Sequence, residues 1–106
     1  MVKYRITINP RNQWDDDARE AKVSPRELEV LALIADGSSN SEIAGLLEIK
    51  YQTVKTHSHN VVKKLGAGNV TEAFMLALAK GLISVTSEDA KPSEKWRGHG
   101  YIRGKE

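Results

Sequence analysis

The chain of 106 residues contains no cysteine, which excludes both disulfide bonds and zinc sites with thiolate ligands. It has no apolar run near the roughly 20 residues that a membrane-spanning helix needs. Its first residues also lack the apolar segment of a signal peptide. No pairing of a nucleophile with a base stands out, and there is no glycine-rich phosphate loop. These absences predict a cytoplasmic protein that is not an enzyme, carries no cofactor or metal and does not associate with a membrane.

Positive charge is concentrated in one part of a nearly neutral chain. The formal net charge is only +2, which by itself does not indicate a nucleic-acid partner. Between residues 49 and 65, however, there are four lysines and no acidic residue. Such a local field attracts phosphate groups even when the whole molecule is almost neutral. The alternative is a solvated helix face, and the charge pattern alone does not decide between the two.

Two sequences that are typical of helix starts follow each other closely. Ser24-Pro25-Arg26-Glu27 and Ser39-Asn40-Ser41-Glu42 both read as capping boxes, the first with proline at the first helical position. They predict a first helix that ends at Gly37 and a second, short helix from about Asn40 to Leu47. Apolar residues lie on two faces of the first helix, which predicts that it is buried between neighbours.

A third helix is predicted from about Tyr51 to Leu65, and Gly66 ends it. At 100° per residue, one of its faces is apolar except for Ser58. The opposite face carries only hydrogen-bonding or cationic side chains. These are Gln52, Thr56, His59, Asn60 and Lys63, with Thr53 and Lys55 on the two edges.

A fourth helix is predicted from about Glu72 to Lys80, with Thr71 as its cap and Gly81 after it. Its sequence is almost continuously apolar. It therefore has more apolar side chains than a single face of the helix can bury against the first helix. The surplus consists of Met75, Leu76 and Ala79. A homodimer through this helix explains the surplus, and cover by a terminal segment is the alternative.

The two ends of the chain differ in composition from this block. Residues 2–8 alternate between apolar and polar, which predicts a strand that needs a partner. Residues 84–106 are polar and charged and predict a mostly flexible tail. Within that tail, residues 96–103 mix aromatic and cationic side chains. They suggest either a second nucleic-acid contact or a strand that pairs with residues 2–8, and disorder is the third alternative.

The block from residue 23 to residue 83 resembles the DNA-binding domain of the LuxR/FixJ/NarL (GerE-type) regulators. The matching segments are Ser24 to Leu31, Ala35 to Gly37, Asn40 to Ala44, Thr53 to His57, Lys63 to Gly66, Thr71 to Ala73 and Gly81 to Ile83. The resemblance implies an all-α, four-helix domain with a helix-turn-helix, in which the third helix, the recognition helix, enters the major groove of DNA. It also implies transcription regulation by dimers. Residues 1–22 are then an N-terminal extension and residues 84–106 the tail.

The resemblance also implies a role for individual residues of the recognition helix. Lys55, Thr56 and His59 align with positions that touch base edges, although contact with phosphate or water alone is the alternative. A second set is expected to contact phosphates. This set is Asn40, Lys50, Gln52, Thr53, Asn60, Lys63 and Lys64. For Asn40, as for Ser39 and Ser41, plain helix capping is an equal alternative.

Three departures from the family pattern affect these expectations. Lys50 stands where the family usually has a capping serine, which costs about 1 kcal/mol of helix stability. His59 occupies a position that is usually cationic, which suggests an altered or weaker sequence preference. Only residues 1–22 precede the match, too few for a receiver or autoinducer-binding domain, so the sequence predicts a stand-alone reader.

The expected partners are double-stranded DNA and a second copy of the chain. RNA polymerase and a larger regulator are further candidates. Two other functions stay open: a protein-interaction module that pairs with and modulates a larger regulator, and a DNA binder without sequence preference.

Overall fold

The computed structural model describes residues 4–87, which form five α-helices and one two-stranded sheet. This confirms the predicted mostly helical fold with a short N-terminal strand. The four helices of the sequence analysis are α2 to α5, and α4 is the recognition helix. In chain order the elements are β1 (Tyr4–Ile8), a 3-10 turn (Arg11–Gln13), α1 (Asp16–Glu20), α2 (Pro25–Ala35), α3 (Asn40–Leu47), α4 (Tyr51–Lys64), α5 (Val70–Ala79) and β2 (Ile83–Ser87). In this part of the chain, none of the helices has the length and apolar content to cross a bilayer.

Both predicted capping boxes are present. The Ser24 hydroxyl oxygen accepts the Glu27 N–H at 3.1 Å, and the Glu27 carboxylate accepts the Ser24 N–H at 2.9 Å. The same reciprocal pair joins Ser39 and Glu42, at 3.1 and 2.8 Å. Because each box satisfies N–H groups that a helix start leaves without partners, α2 and α3 begin where the sequence predicts.

The start of α5 differs from the prediction, which gave Thr71 as its cap. The cap is Asn69, whose side-chain oxygen accepts the Glu72 N–H at 2.8 Å. The helix therefore begins at Val70. Thr71 already lies within the first turn, where its backbone is helical and cannot serve as a cap.

The predicted N-terminal strand is confirmed for residues 4–8, and its partner is β2. The pairing is antiparallel, with Tyr4 opposite Ser87 and Ile8 opposite Ile83. Residues 84–87, which the sequence analysis placed in a flexible tail, are thus part of a strand. The reason is that β1 needs a backbone partner, and the buried Leu82 and Ile83 hold the chain beside it. The alternative partner, residues 96–103, lies outside the described residues.

The segment between β1 and α2 contains a short helix that the sequence analysis did not predict. Asp15 caps α1 by accepting the Ala18 N–H at 2.8 Å, and its own N–H donates to the Lys80 carbonyl at 3.0 Å. Trp14, only 4% exposed, donates its indole N–H to the Asn9 carbonyl at 2.9 Å. The N-terminal segment, residues 4–20, is therefore hydrogen-bonded to the end of α5 through Asp15.

At the far end of β1, Tyr4 connects the sheet to α2. Its hydroxyl hydrogen-bonds to the Asp36 side chain, and this bond together with the negative charge of Asp36 raises the pKa of Tyr4. Asp36 is the residue that closes α2. The sheet is thus linked to the helical part at both of its ends.

Two groups of buried side chains lie on opposite sides of α2, as its two apolar faces predict. The main core joins α2, α4, α5 and the N-terminal segment; its buried residues include Trp14, Val23, Leu28, Leu31, Val61, Ala73, Ala77 and Leu82. The second core joins α2, α3 and α4. It consists of Val30, Ile43 and Val54, with Leu33, Ile34, Ala44, Leu47 and Ile49 packed around them.

Candidate nucleic-acid interface

The recognition helix α4 is anchored to both cores. Near its start, Val54 is fully buried in the second core. Seven residues, or about two turns, later, Val61 is fully buried in the main core. Leu65, which follows it one turn later, is 8% exposed. These three residues share one face of the helix, so burying them turns the opposite face toward solvent. The Ser58 hydroxyl, which interrupts the apolar face, donates to the Lys55 carbonyl at 3.0 Å.

The three residues predicted to contact bases are all exposed on α4. Thr56 donates its hydroxyl hydrogen to the Gln52 carbonyl at 3.0 Å. In this arrangement the Thr56 oxygen can accept a hydrogen bond and its methyl group can pack on a thymine methyl, but it has no proton to donate. Lys55 and His59, one residue before and three residues after Thr56, lie on the same side of it around the helix.

The Lys55 ammonium lies 5.8 Å from the centre of the Tyr51 ring, within the range of a cation–π contact. Tyr51 is the first residue of α4 and is 50% exposed. The contact favours one orientation of a long, flexible side chain. No role for Tyr51 is predicted from the sequence. An aromatic residue four positions before a lysine on a helix is the pattern that could have indicated one.

The N-terminal end of α4 lacks a side-chain cap, as predicted. Lys50 occupies the capping position and its side chain forms no capping bond. Its ammonium group forms no ion pair with any residue between 4 and 87. At the start of α3, Ser39 does the capping, while Asn40 lies at the first helical position, half-buried. The capping alternative therefore applies to Ser39 alone.

Among residues 4–87, the side chains of six of the seven predicted phosphate-contacting residues form no hydrogen bond or ion pair, whereas the side chain of Lys64 forms both. The Lys64 ammonium donates to both oxygens of the Glu27 carboxylate, at 3.0 and 2.9 Å, and to the Lys22 carbonyl at 3.0 Å. A lysine has three N–H donors, so all of them are occupied. The physical reason is the buried Glu27, which requires a cationic partner. Lys63 and Lys64 are both exposed, but the Lys63 ammonium forms no ion pair with any residue between 4 and 87.

The two histidines of α4 occupy different environments. His57 is half-buried, whereas His59 is exposed. Among residues 4–87, no group of three or more histidine, aspartate or glutamate side chains is close enough to hold a metal ion.

The predicted dimer residues differ in exposure. Met75 is 60% exposed and Ala79 is exposed, but Leu76 is partly buried against the main core. Beside Met75 lies a groove between α2 and α5 with a volume of about 320 Å³. Its lining residues are Leu31, Ile34, Ala35, Val70, Thr71, Phe74 and Met75.

Comparison with known proteins gives the family. Residues 21–77, more than half of the chain, match the family model described as bacterial regulatory proteins, luxR family. The chain is 38% identical over 82 residues to the transcriptional activator protein CarR of Pectobacterium carotovorum, covering 77% of this chain and 34% of that protein.

Two further relatives are response regulators by their names. The response regulator protein VraR of Staphylococcus saprophyticus is 44% identical over 84 residues, which is 78% of this chain and 40% of VraR. The uncharacterized response regulatory protein YgeK of Escherichia coli is 41% identical over 64 residues, 60% of this chain and 44% of YgeK. The chain spans less than half the length of these three relatives. Helices α3 and α4, joined by residues 48–50, form a helix-turn-helix. With this geometry and the match over residues 21–77, the chain belongs to the luxR family of bacterial regulatory proteins and carries its DNA-binding, transcription-regulating domain.

Proposed function

We propose that the chain binds double-stranded DNA in a sequence-specific manner and thereby regulates transcription. The observation that carries this proposal is the outward face of α4. It is exposed, free of acidic side chains and held in a fixed orientation by Val54 and Val61, each fully buried in a different core. A helix of this kind fits the major groove, where side chains can reach base edges.

In the proposed complex, Lys55, Thr56 and His59 contact bases. Phosphates are contacted by the remaining polar residues at the ends and edges of α4 and at the start of α3. These are Asn40, Lys50, Gln52, Thr53, Asn60 and Lys63. Polar contacts to phosphate position the protein without reading sequence, whereas the base contacts discriminate between sites. The transcriptional activator and the response regulators among the relatives support a regulatory outcome.

We also propose that the chain acts as a homodimer through α5. The support is the exposure of Met75 and Ala79 beside the apolar groove. Two copies related by a two-fold axis would present two recognition helices to paired half-sites on DNA, as dimeric helix-turn-helix proteins do.

The experiment that tests DNA binding starts with selection of bound sequences from a random DNA pool. Fluorescence anisotropy then measures the affinity of the protein for the selected duplex and for a shuffled duplex at several salt concentrations. We expect the selected duplex to bind at least about 10³-fold more tightly. We also expect log affinity to fall against log salt with a slope of about −2 per protomer, for Lys50 and Lys63.

Two results would contradict the proposal. No binding to either duplex at low salt would favour the protein-interaction module. Equal affinity for both duplexes would leave only DNA binding without sequence preference.

A further inference from the structure

Glu27 is the one charged side chain that is buried among residues 4–87, at 4% exposure. Its carboxylate accepts hydrogen bonds from the Lys64 ammonium at 3.0 and 2.9 Å and from the Ser24 N–H at 2.9 Å. The same ammonium donates to the Lys22 carbonyl at 3.0 Å. A buried charge is tolerated only when it is paired and hydrogen-bonded, and here each donor has an acceptor. We name this arrangement the Glu27–Lys64 clamp.

The clamp joins three separate pieces of the chain. Glu27 belongs to the first turn of α2, Lys64 is the last residue of α4, and Lys22 precedes α2. Lys22 adopts a left-handed conformation, with φ of 60°, which a side chain other than glycine rarely takes. The clamp therefore fixes the C-terminal end of the recognition helix against the element that lies between both cores.

A phosphate contact by Lys64 would compete with the clamp. To reach a phosphate, the ammonium would have to give up donors that now serve the Glu27 carboxylate. That carboxylate would then be buried without a cationic partner, which is strongly unfavourable. Lys63 can contact a phosphate without leaving a buried carboxylate unpaired, because its side chain is exposed and forms no ion pair with residues 4–87.

We propose that Lys64 is a positioning residue for DNA binding. It acts through Glu27, setting the orientation of α4, while phosphate contact at this end of the helix falls to Lys63. The proposal rests on the DNA-binding function proposed above. It assigns different roles to two lysines that are adjacent in sequence and carry the same charge.

The test compares Lys64→Met with its neighbour Lys63→Met. Affinity for the selected duplex is measured as a function of salt at a temperature where each variant is folded, and thermal unfolding is followed by circular dichroism. Lys63→Met should make the slope of log affinity against log salt shallower by about 0.9, one phosphate contact, and leave the unfolding temperature unchanged. Lys64→Met should leave the slope unchanged, weaken binding several-fold and lower the unfolding temperature by at least about 10 °C.

The double variant Glu27→Gln, Lys64→Met keeps the test decisive if Lys64→Met does not fold. It removes the buried charge together with its partner, so it should unfold at a higher temperature than Lys64→Met. Its salt slope should equal that of the wild type. A slope that becomes shallower by about 0.9 in either Lys64 variant would overturn the proposal. Equal unfolding temperatures for Lys64→Met and Lys63→Met would overturn it as well.

Failure of the proposed function gives a different pattern. If the wild-type protein binds neither duplex at low salt, DNA binding itself is contradicted, and the role of Lys64 in DNA binding falls with it. The clamp as a structural unit would then be supported or refuted by the unfolding temperatures of the single and double variants alone.

Discussion

At the scale of single residues, two adjacent lysines of α4 have different environments. Lys63 and Lys64 are equivalent in sequence, and both were predicted to contact phosphate. The structure separates them because adjacent helical positions point 100° apart, which brings only Lys64 to the buried Glu27. The sequence could not show this, since Glu27 lies 37 positions away and its burial depends on the packing of α2 against α4.

Gly81 follows the end of α5 and lies close to the backbone of Gln13. Its substitution therefore tests how closely the segment before α1 packs against the end of α5. Its φ of +80° is costly for other residues, and a Cβ there would lie 2.6 Å from the Gln13 carbonyl oxygen. We expect Gly81→Ala to lower the free energy of unfolding by about 1–2 kcal/mol for the backbone conformation. The collision with the Gln13 backbone should add about 1–3 kcal/mol, because that oxygen has to move. Urea unfolding of this variant and the wild type measures the sum of these two contributions to the free energy of unfolding.

Gly37→Ala is the matched control for this substitution. Gly37 also has a positive φ, of +97°, but a Cβ there would meet nothing within 4 Å. It should show the conformational cost alone, about 1–2 kcal/mol. If the two variants lose the same stability, the close approach of Gln13 to Gly81 is absent in solution.

At the scale of elements, the helices with strong local patterns are the ones that the sequence predicts well. The starts of α2 and α3 follow from their capping boxes, because the bonds that define them lie within four residues. The start of α5 was misplaced because Asn69 and Thr71 are both good capping residues and only backbone conformation distinguishes them. Helix α1 was missed because five residues carry too little periodicity to be recognised.

Helix α5 is also the element on which the proposed dimer depends. Met75→Glu places a charge at the exposed apolar surface without disturbing a buried side chain, so it should convert a dimer into a monomer. Sedimentation equilibrium measures the change. Met75 is a better site for this test than Leu76, which packs against the main core.

The control for the dimer test is Leu46→Glu. Leu46 is 64% exposed on α3, so the same charge is introduced on another helix. This variant should remain dimeric. A wild-type protein that sediments as a monomer at high concentration, or a Met75→Glu variant that stays dimeric, would refute an interface through α5.

At the scale of the whole molecule, the N-terminal segment is packed into the same core as the helix-turn-helix domain. The family match begins at residue 21, yet Trp14 and Ala18 are buried in the main core, with Ile6 and Ile8 packed on it. We propose that residues 4–87 unfold as one unit. The sequence indicated a strand but not its partner, because pairing residues so far apart depends on how α5 returns the chain to β1.

The central claim is that the outward face of α4 reads DNA bases, with Lys55 as its main contact. The most direct test is the affinity of Lys55→Ala and Lys63→Ala for the selected duplex and for a set of its single-base-pair variants. Lys55→Ala should lose about 1–3 kcal/mol of discrimination at one base pair, whereas Lys63→Ala should weaken binding to every duplex by the same factor. If Lys55→Ala weakens all duplexes alike, or leaves both affinity and discrimination unchanged, Lys55 does not read a base and the account of α4 is wrong.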